Sequence, residues 1–297
     1  MKRQTKFEIL LSLILIARST SFMFSKVLMD SMGPFTILAI RYLIAFVMVM
    51  IIFAKRVKNT NKQILTKAAI IGIVYTAVMG FEMYGLRLTD SGTCSFLEHT
   101  AIVMVPVIQA ILVKKFPTKA TWISAIAAMA GVGFLTLGRT DIEPNIGFIY
   151  CIIAAVCYAF AIILTTNYSQ QVSDAVMLGI YQVGFMGLFC LIMAIAIETP
   201  RLPSTGNEWF SILYLASICS GFGIAIQPLA QSGTTAERAA LIAALNPLSV
   251  AFLGVIILHE QLTISYVLGG ILVMVGILIA VKVEQTDSIH DASTCSR

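Results

Sequence analysis

The chain has 297 residues, 58% of them hydrophobic and only 12% charged, with a net charge of +5. A soluble domain carries about 25% charged residues, and so few charges could not cover this much apolar surface in water, whereas a bilayer removes that requirement. The modest positive charge forms no stripe of the kind a nucleic acid would need, so no nucleic-acid partner is expected.

Ten apolar runs approach the roughly 20 residues that cross a membrane: 7–29, 34–54, 68–88, 93–113, 120–138, 147–167, 175–197, 208–228, 234–257 and 264–282. The breaks between them are short and carry charge, Gly or Pro, and none has room for a soluble domain. The opening Met1-Lys2-Arg3-Gln4-Thr5-Lys6 resembles the start of a signal peptide. The run that follows is interrupted by Arg18 and offers no small-residue cleavage site before Phe22, so it reads as a retained first helix. Arg18 lies about halfway along it. A central Arg costs about 3 kcal/mol on insertion scales, which marks it as functional or paired. It is a candidate anion or carboxylate clamp, or a structural partner for Glu82.

Arg41, in the second run, is placed to snorkel to the outer surface and reads as structural more than substrate-binding. Glu82, deep in the third, is a candidate proton carrier if unpaired and stays ionised if it meets Arg18 or Arg41. The fourth run opens on Glu98 and His99, which could equally sit at the water interface. Glu98, Ile102, Val105 and Gln109 share one helical face. Pro106 in this run and Pro247 in the ninth each free a backbone carbonyl one turn back, kinking the helix. Asn246 and Ser249 flank the second kink as candidate lining groups. Tyr75, Tyr84, Tyr158, Tyr181 and Gln182 are further candidates, although aromatic residues in helices more often serve packing. Gly131, Gly133, Gly221, Gly223, Gly269 and Gly270 allow close helix contact. Most of the six cysteines (Cys94, Cys151, Cys157, Cys190, Cys219 and Cys295) fall in apolar runs, without CxxC or metal-ligand spacing, and read as small hydrophobes.

Lys and Arg set the orientation. With the N-terminus in the cytoplasm, the inner segments hold Lys2, Arg3, Lys6, Lys55, Arg56, Lys58, Lys62, Lys67, Lys114, Lys115, Lys119 and Lys282, while the outer loops hold little beyond Arg87, Arg139 and Arg201. Both termini are then cytoplasmic and the number of spans is even. The chain also repeats itself. Ser91-Gly92-Thr93 and Pro106 recur as Ser232-Gly233-Thr234 and Pro247, at an offset of 141. Thr118, Ile126, Met129 and Gly131 recur as Thr263, Ile271, Met274 and Gly276, at an offset of 145. Five spans per repeat is odd, so the second copy sits inverted. Inverted repeats are a usual construction of secondary transporters, with the substrate near the midplane.

From Ala236 to Thr263 the chain reads AERAALIAALNPLSVAFLGVIILHEQLT. This is similar to the signature of the EamA-type transporters in the drug/metabolite transporter superfamily, carried here by Pro247, Glu260, Leu262 and Thr263. Gly269 and Gly276, Gly33-Pro34 followed by Arg41, and Tyr181-Gln182 fit the same pattern, so the resemblance covers about residues 7–282. Two positions depart from it. The family's first helix usually carries Trp-Gly where this chain has Ala17-Arg18, and Lys114-Lys115 stands where the second repeat has His259-Glu260.

The resemblance implies an all-α membrane protein: ten transmembrane helices as two inverted five-helix repeats, 1–138 and 147–283, around a central cavity. A polar cytoplasmic tail, 284–297, follows. The implied function is a secondary transporter in the cell membrane, an exporter by analogy, that moves small polar metabolites such as amino acids or drug-like compounds. Its expected partners are a small-molecule substrate and the lipid bilayer, with a homodimer left open. The substrate-binding candidates are Arg18, Glu82, Glu98, His99, Gln109, Tyr158, Tyr181, Gln182, Asn246 and Ser249. The sequence contains no HExxH, no GxSxG and no paired intramembrane Asp, and its three His are scattered, so neither an enzyme, a metal nor a cofactor is expected. A non-transporting receptor or scaffold is the alternative, but it would lack a soluble output domain. No ATP-binding motif is present, so energy would come from a gradient or from exchange.

Overall fold

A computed structural model describes residues 3–89, 91–114, 117–136, 145–249, 252, 264 and 267–279. Among these residues the regular elements are all helical. The chain runs through α1 (Arg3–Ser19), α2 (Ser21–Met29), α3 (Pro34–Ile52), α4 (Lys62–Leu88), α5 (Ser91–His99), α6 (Ala101–Val113) and α7 (Lys119–Thr136). It continues through α8 (Ile146–Gln171), α9 (Ala175–Ile197), α10 (Gly206–Tyr214), a π-helical stretch (Leu215–Ile224), α11 (Ala225–Gln231), α12 (Ala236–Ala243) and α13 (Val267–Ile279).

Seven of the resulting stretches are long and apolar enough to cross a membrane: Gln4–Met29, Pro34–Ile52, Lys62–Leu88, Cys94–Leu112, Ile146–Gln171, Ala175–Ile197 and Gly206–Gln231. α7 and α13 are shorter apolar helices at the places predicted for the fifth and tenth spans. The end of the ninth predicted span lies outside the described residues. So do Arg139, Lys115, His259, Glu260, Leu262, Thr263 and Lys282, and the tail 284–297.

Short polar caps start the helices. Asn61 accepts from Ile64 N at 2.8 Å, Asn145 from Gly147 N at 2.7 Å, and Asp174 from Val176 N at 3.0 Å. Thr205 and Glu208 form a reciprocal capping box. Pro34 stands at the first turn of α3, and the start of that helix is held from outside by Glu198, which accepts from Phe35 N, Thr36 N and Thr36 Oγ1 at 2.8–2.9 Å. Next to it, Arg201 donates to Glu208 at 2.6 Å and Ser31 donates to the same carboxylate at 2.7 Å. At the opposite end of the bundle Arg56 meets Asp174 at 3.5 Å, and Arg238 at the start of α12 pairs with Glu8 of α1.

The distribution of side chains is inside-out relative to a soluble protein. Ile51, Ile111, Ile195 and Phe210 stand more than half exposed on the outer surface, while Arg41, Glu82, Glu98 and Gln227 are buried. Lipid contact accounts for the first set. α3 packs along α9 and α4 along α8. α7 meets α13 with almost no space between backbones. A Cβ added at Gly131 would lie 2.6 Å from Val273 N and 2.7 Å from Gly269 O, and one at Gly276 would lie 2.7 Å from Ser124 O and 2.9 Å from Ala128 N.

Among the described residues four predicted spans are interrupted. The first divides at Thr20 into α1 and α2, and the fourth at Thr100 into α5 and α6. The eighth widens into the π-helical stretch, a form that recurs at functional sites. Pro106 and Pro247 stand within helical residues. The breaks themselves fall earlier, at Thr100 and at Ala244 just beyond α12, so kinks centred on the prolines describe these helices less well than breaks N-terminal to them.

Candidate functional site

The break in the first span is where the interior becomes polar. Arg18 occupies the last turn of α1, and its Nη1 donates to Gln227 Oε1 of α11 at 2.7 Å. The amide of Gln227 is held from its other side, because Nε2 donates to Tyr75 Oη at 2.9 Å. Both Gln227 and Tyr75 are fully buried. Gly223, in the π-helical stretch, makes room for the arginine stem: a Cβ there would stand 2.7 Å from Arg18 Cγ. The Tyr75 ring meets Tyr158 edge-on at 6.5 Å, and Tyr158 meets the His99 ring edge-on at 6.5 Å. Arg18, Gln227, Tyr75, Tyr158 and His99 therefore form one continuous buried array from α1 through α11, α4 and α8 to α5.

Arg41 is also buried, with 3% of its surface exposed. It does not snorkel. Its Nε donates to Ser220 Oγ at 3.1 Å, and its Nη1 to Ser21 Oγ at 3.2 Å. Both hydroxyls stand at interruptions, one in the π-helical stretch and one just past the Thr20 break. These interruptions present polar groups that a regular helix would turn elsewhere. The Thr20 break is itself closed by α10 and the π-helical stretch, with Thr20 Oγ1 3.1 Å from Tyr214 Oη and Cys219 Sγ donating to Ala17 O.

Glu82 of α4 and Glu98 of α5 are both buried, at 8% and 4% exposure. The direct pair of Arg18 with Glu82 that the sequence offered is not formed. Among the described residues no ion pair joins Glu82 to Arg18 or Arg41. Glu98 and His99 were candidates for the water interface, and both are instead buried, at 4% and 1% exposure. α5 lies against α7 and α8 rather than projecting into water, and at its end Thr100 Oγ1 donates back to Leu97 O. His99 Nδ1 is 2.7 Å from Ser95 O, which makes that nitrogen the N–H donor. Glu98 Oε2, His99 Nε2 and Tyr42 Oη are buried with no hydrogen-bond partner among the described residues.

Other candidates stand apart. Tyr181 belongs to a different neighbourhood: its hydroxyl accepts from Thr60 Oγ1 at 3.3 Å, and its ring leans on Phe46. Tyr84 lines an apolar groove of about 600 Å³ with Phe35, Gly80, Phe81 and Tyr150. Gln182 and Asn246 are buried and Gln109 and Ser249 half-buried, and no described hydrogen bond joins any of the four to the Arg18 array. Gln182 Oε1, Gln109 Oε1 and Asn246 Oδ1 are nevertheless buried without partners among the described residues, as lining groups of a polar interior would be.

Gln227, Ser220, Ser21 and Tyr42 were missed in the sequence, and so was the Glu8–Arg238 pair. A signal existed for three of them. Gln227 is an amide, and Glu8 and Arg238 are charges, inside predicted spans, so they meet the same criterion that singled out Arg18.

A model of the EamA-like transporter family matches residues 5–137 and 145–282. The transporter YoaV of Bacillus subtilis, described as uncharacterized, is 22% identical over 74% of this chain and 75% of its own length. Two uncharacterized transporters of Archaeoglobus fulgidus are 25% and 23% identical, over 91% and 92% of this chain and 83% and 96% of theirs. A crystal structure with 14% sequence identity superposes with a TM-score of 0.78 over 95% of this chain and 98% of the other.

Proposed function

Because the chain belongs to the EamA-like transporter family, we propose that it is a secondary transporter that moves small polar metabolites, such as amino acids or drug-like compounds, by alternating access. The observation that carries this reading is the buried array around Arg18, assembled where α1 gives way to α2 and the eighth span turns π-helical. Polar groups in a membrane interior are expensive and collect at substrate pathways. Interrupted helices at mid-depth are how transporters expose such groups to a substrate.

The ten-helix, inverted-repeat architecture belongs to the same proposal. It is supported by the contact between α7 and α13. At the repeat offset of 145, Gly131 corresponds to Gly276, Ala128 to Val273 and Ser124 to Gly269. Exchanging the two sets turns the surroundings of Gly131 into those of Gly276, as a two-fold relation requires. The charge bias of the loops favours cytoplasmic termini and a cell-membrane location. Export is the direction we favour, by family analogy.

The test is flux in proteoliposomes loaded with a broad panel of radiolabelled amino acids, nucleosides, organic anions and cationic dyes. Counterflow of at least one class is expected. No movement of any of them would sink the proposal.

A further inference from the structure

We propose that the groove between α4, α8 and α9 is a phospholipid site: one acyl chain lies along it, and the phosphate of the same lipid meets Arg87. The site requires only that the chain crosses a bilayer, not that it carries a solute.

The groove has a volume of about 600 Å³, and none of the described residues that line it is charged. α4 supplies one whole side. Ile73, Ala77, Gly80 and Tyr84 recur at three- and four-residue spacing, which sets them on one helical face. Gly80 gives the groove its depth. A Cβ there would lie 2.7 Å from Phe35 Cζ, so the Phe35 ring rests directly against the backbone of α4. Thr76, the one aliphatic hydroxyl in the lining, donates to Gly72 O at 2.8 Å and asks nothing of a ligand. The groove opens sideways, because Ile73 of α4 and Ile192 of α9 stand at its rim more than half exposed, on helices that cross the membrane. Such exposure is costly in water and free in hydrocarbon.

Length and depth point to a lipid chain. The helix rises about 16 Å from Ile73 to Tyr84, and one leaflet of the hydrocarbon core is about 15 Å thick. The 27 residues of α4 span about 40 Å, so a core of about 30 Å centred on them ends near Tyr84. Tyr84 and Tyr150 close the groove at that end, with ring centroids 6.1 Å apart, and Phe35 braces Tyr84 at 5.9 Å. Amphipathic rings collect at this interface.

Arg87 stands one turn beyond Tyr84 on the same face of α4 and is exposed. Apolar walls, hydroxyl-bearing rings and a guanidinium therefore follow one another along the groove. Chain, ester and phosphate follow one another in the same order in a glycerophospholipid, and a guanidinium takes a phosphate through parallel hydrogen bonds. The charge bias puts this end of the bundle outside, where Lys and Arg are few, so the lipid belongs to the outer leaflet. Arg201, at the same end, is engaged by Glu208. Glu198, also there, spends both carboxylate oxygens on the first turn of α3.

Native mass spectrometry tests the site on the purified full-length protein, released from detergent after titration with phosphatidylglycerol or with diacylglycerol of the same chains. The wild type is expected to keep one phosphatidylglycerol at concentrations that leave later additions unbound. Ala77→Trp, which fills the groove at mid-length, should abolish that first binding. Ile195→Trp, on the exposed surface of α9 outside the groove, should not. Arg87→Gln should weaken phosphatidylglycerol about tenfold or more, to the level of diacylglycerol, and Arg87→Lys should keep most of the binding. Because Arg87 is exposed, its variants keep the test decisive if Ala77→Trp folds poorly. The proposal is overturned if no lipid is kept ahead of the others, if diacylglycerol binds the wild type as tightly as phosphatidylglycerol, or if Ala77→Trp or Arg87→Gln binds undiminished. A wild-type dimer that Ala77→Trp breaks would also overturn it, by seating a second copy of the chain in the groove.

Discussion

Breaking the Glu8–Arg238 pair should loosen the end of the bundle where the chain begins. The two side chains are 11% and 8% exposed and come from α1 and α12, 230 positions apart. Glu8 Oε1 also accepts from Gln4 Nε2 at 3.2 Å and Thr234 Oγ1 at 3.4 Å, and Gln170 Nε2 donates to Thr234 O at 2.9 Å. One carboxylate oxygen thus ties the first helix to the turn between α11 and α12, and through it to α8. Phe7 lies directly over Gly233 in the same turn. Removing one partner of a buried pair costs about 3–5 kcal/mol, whereas replacing both by apolar groups is often close to neutral. Arg238→Met leaves Glu8 with two neutral donors, so about 3 kcal/mol is expected. The double variant Glu8→Leu/Arg238→Met should lose about 1 kcal/mol or less. Unfolding in an SDS titration followed by circular dichroism measures the full cycle. Between this pair and Arg18, Leu11, Ile14 and Leu15 of α1 are buried at 0–2% exposure. A cysteine at Leu15, in a background without the native cysteines, should therefore react with an impermeant maleimide faster in Arg238→Met than in the parent. Additive single losses, or unchanged labelling, would refute the claim that the pair acts as a latch.

Arg18→Ala should abolish flux in the proteoliposome assay while membrane insertion, judged by protease protection, stays intact; normal flux would sink the clamp. Glu82→Gln should leave substrate exchange in place and remove drive by a pH gradient, because an amide cannot carry a proton, and pH-driven uptake in that variant would reject the role. Gly131→Ala should destabilise by about 1–3 kcal/mol through overpacking, even though alanine is the better helix former by about 1 kcal/mol. The atoms its methyl meets, Val273 N and Gly269 O, are backbone and cannot rotate aside; stabilisation in the SDS titration would show that α7 and α13 can separate cheaply.

Hydropathy placed the helices well because a membrane span is a long uniform signal, and α3, α4, α8 and α9 begin and end within a few residues of the predicted runs, apart from the earlier start of α4 and later end of α8. The interruptions were not legible in the same way. Neither Thr20 nor Thr100 is beside a Gly or Pro, but each turns its hydroxyl back onto the carbonyl three residues earlier, Ala17 O and Leu97 O, a local bond that competes with the helix ladder. Partners distant in sequence also meet these positions: Tyr214 and Cys219 at Thr20, and α7 and α8 along α5. The misplacement of Arg41, Glu98 and His99 has the same origin. Sequence depth measures distance from a span's end, and near an end water is the default partner for a charge. Whether a neighbouring helix stands there instead is a tertiary fact. Ser220 can reach Arg41 because the π-helical stretch carries it there. Arg18 was legible because no depth near a span's centre offers water, so its charge had to meet either protein or ligand. Among the described residues its hydrogen bond goes to the amide of Gln227. An amide can orient a guanidinium but carries no charge to balance it.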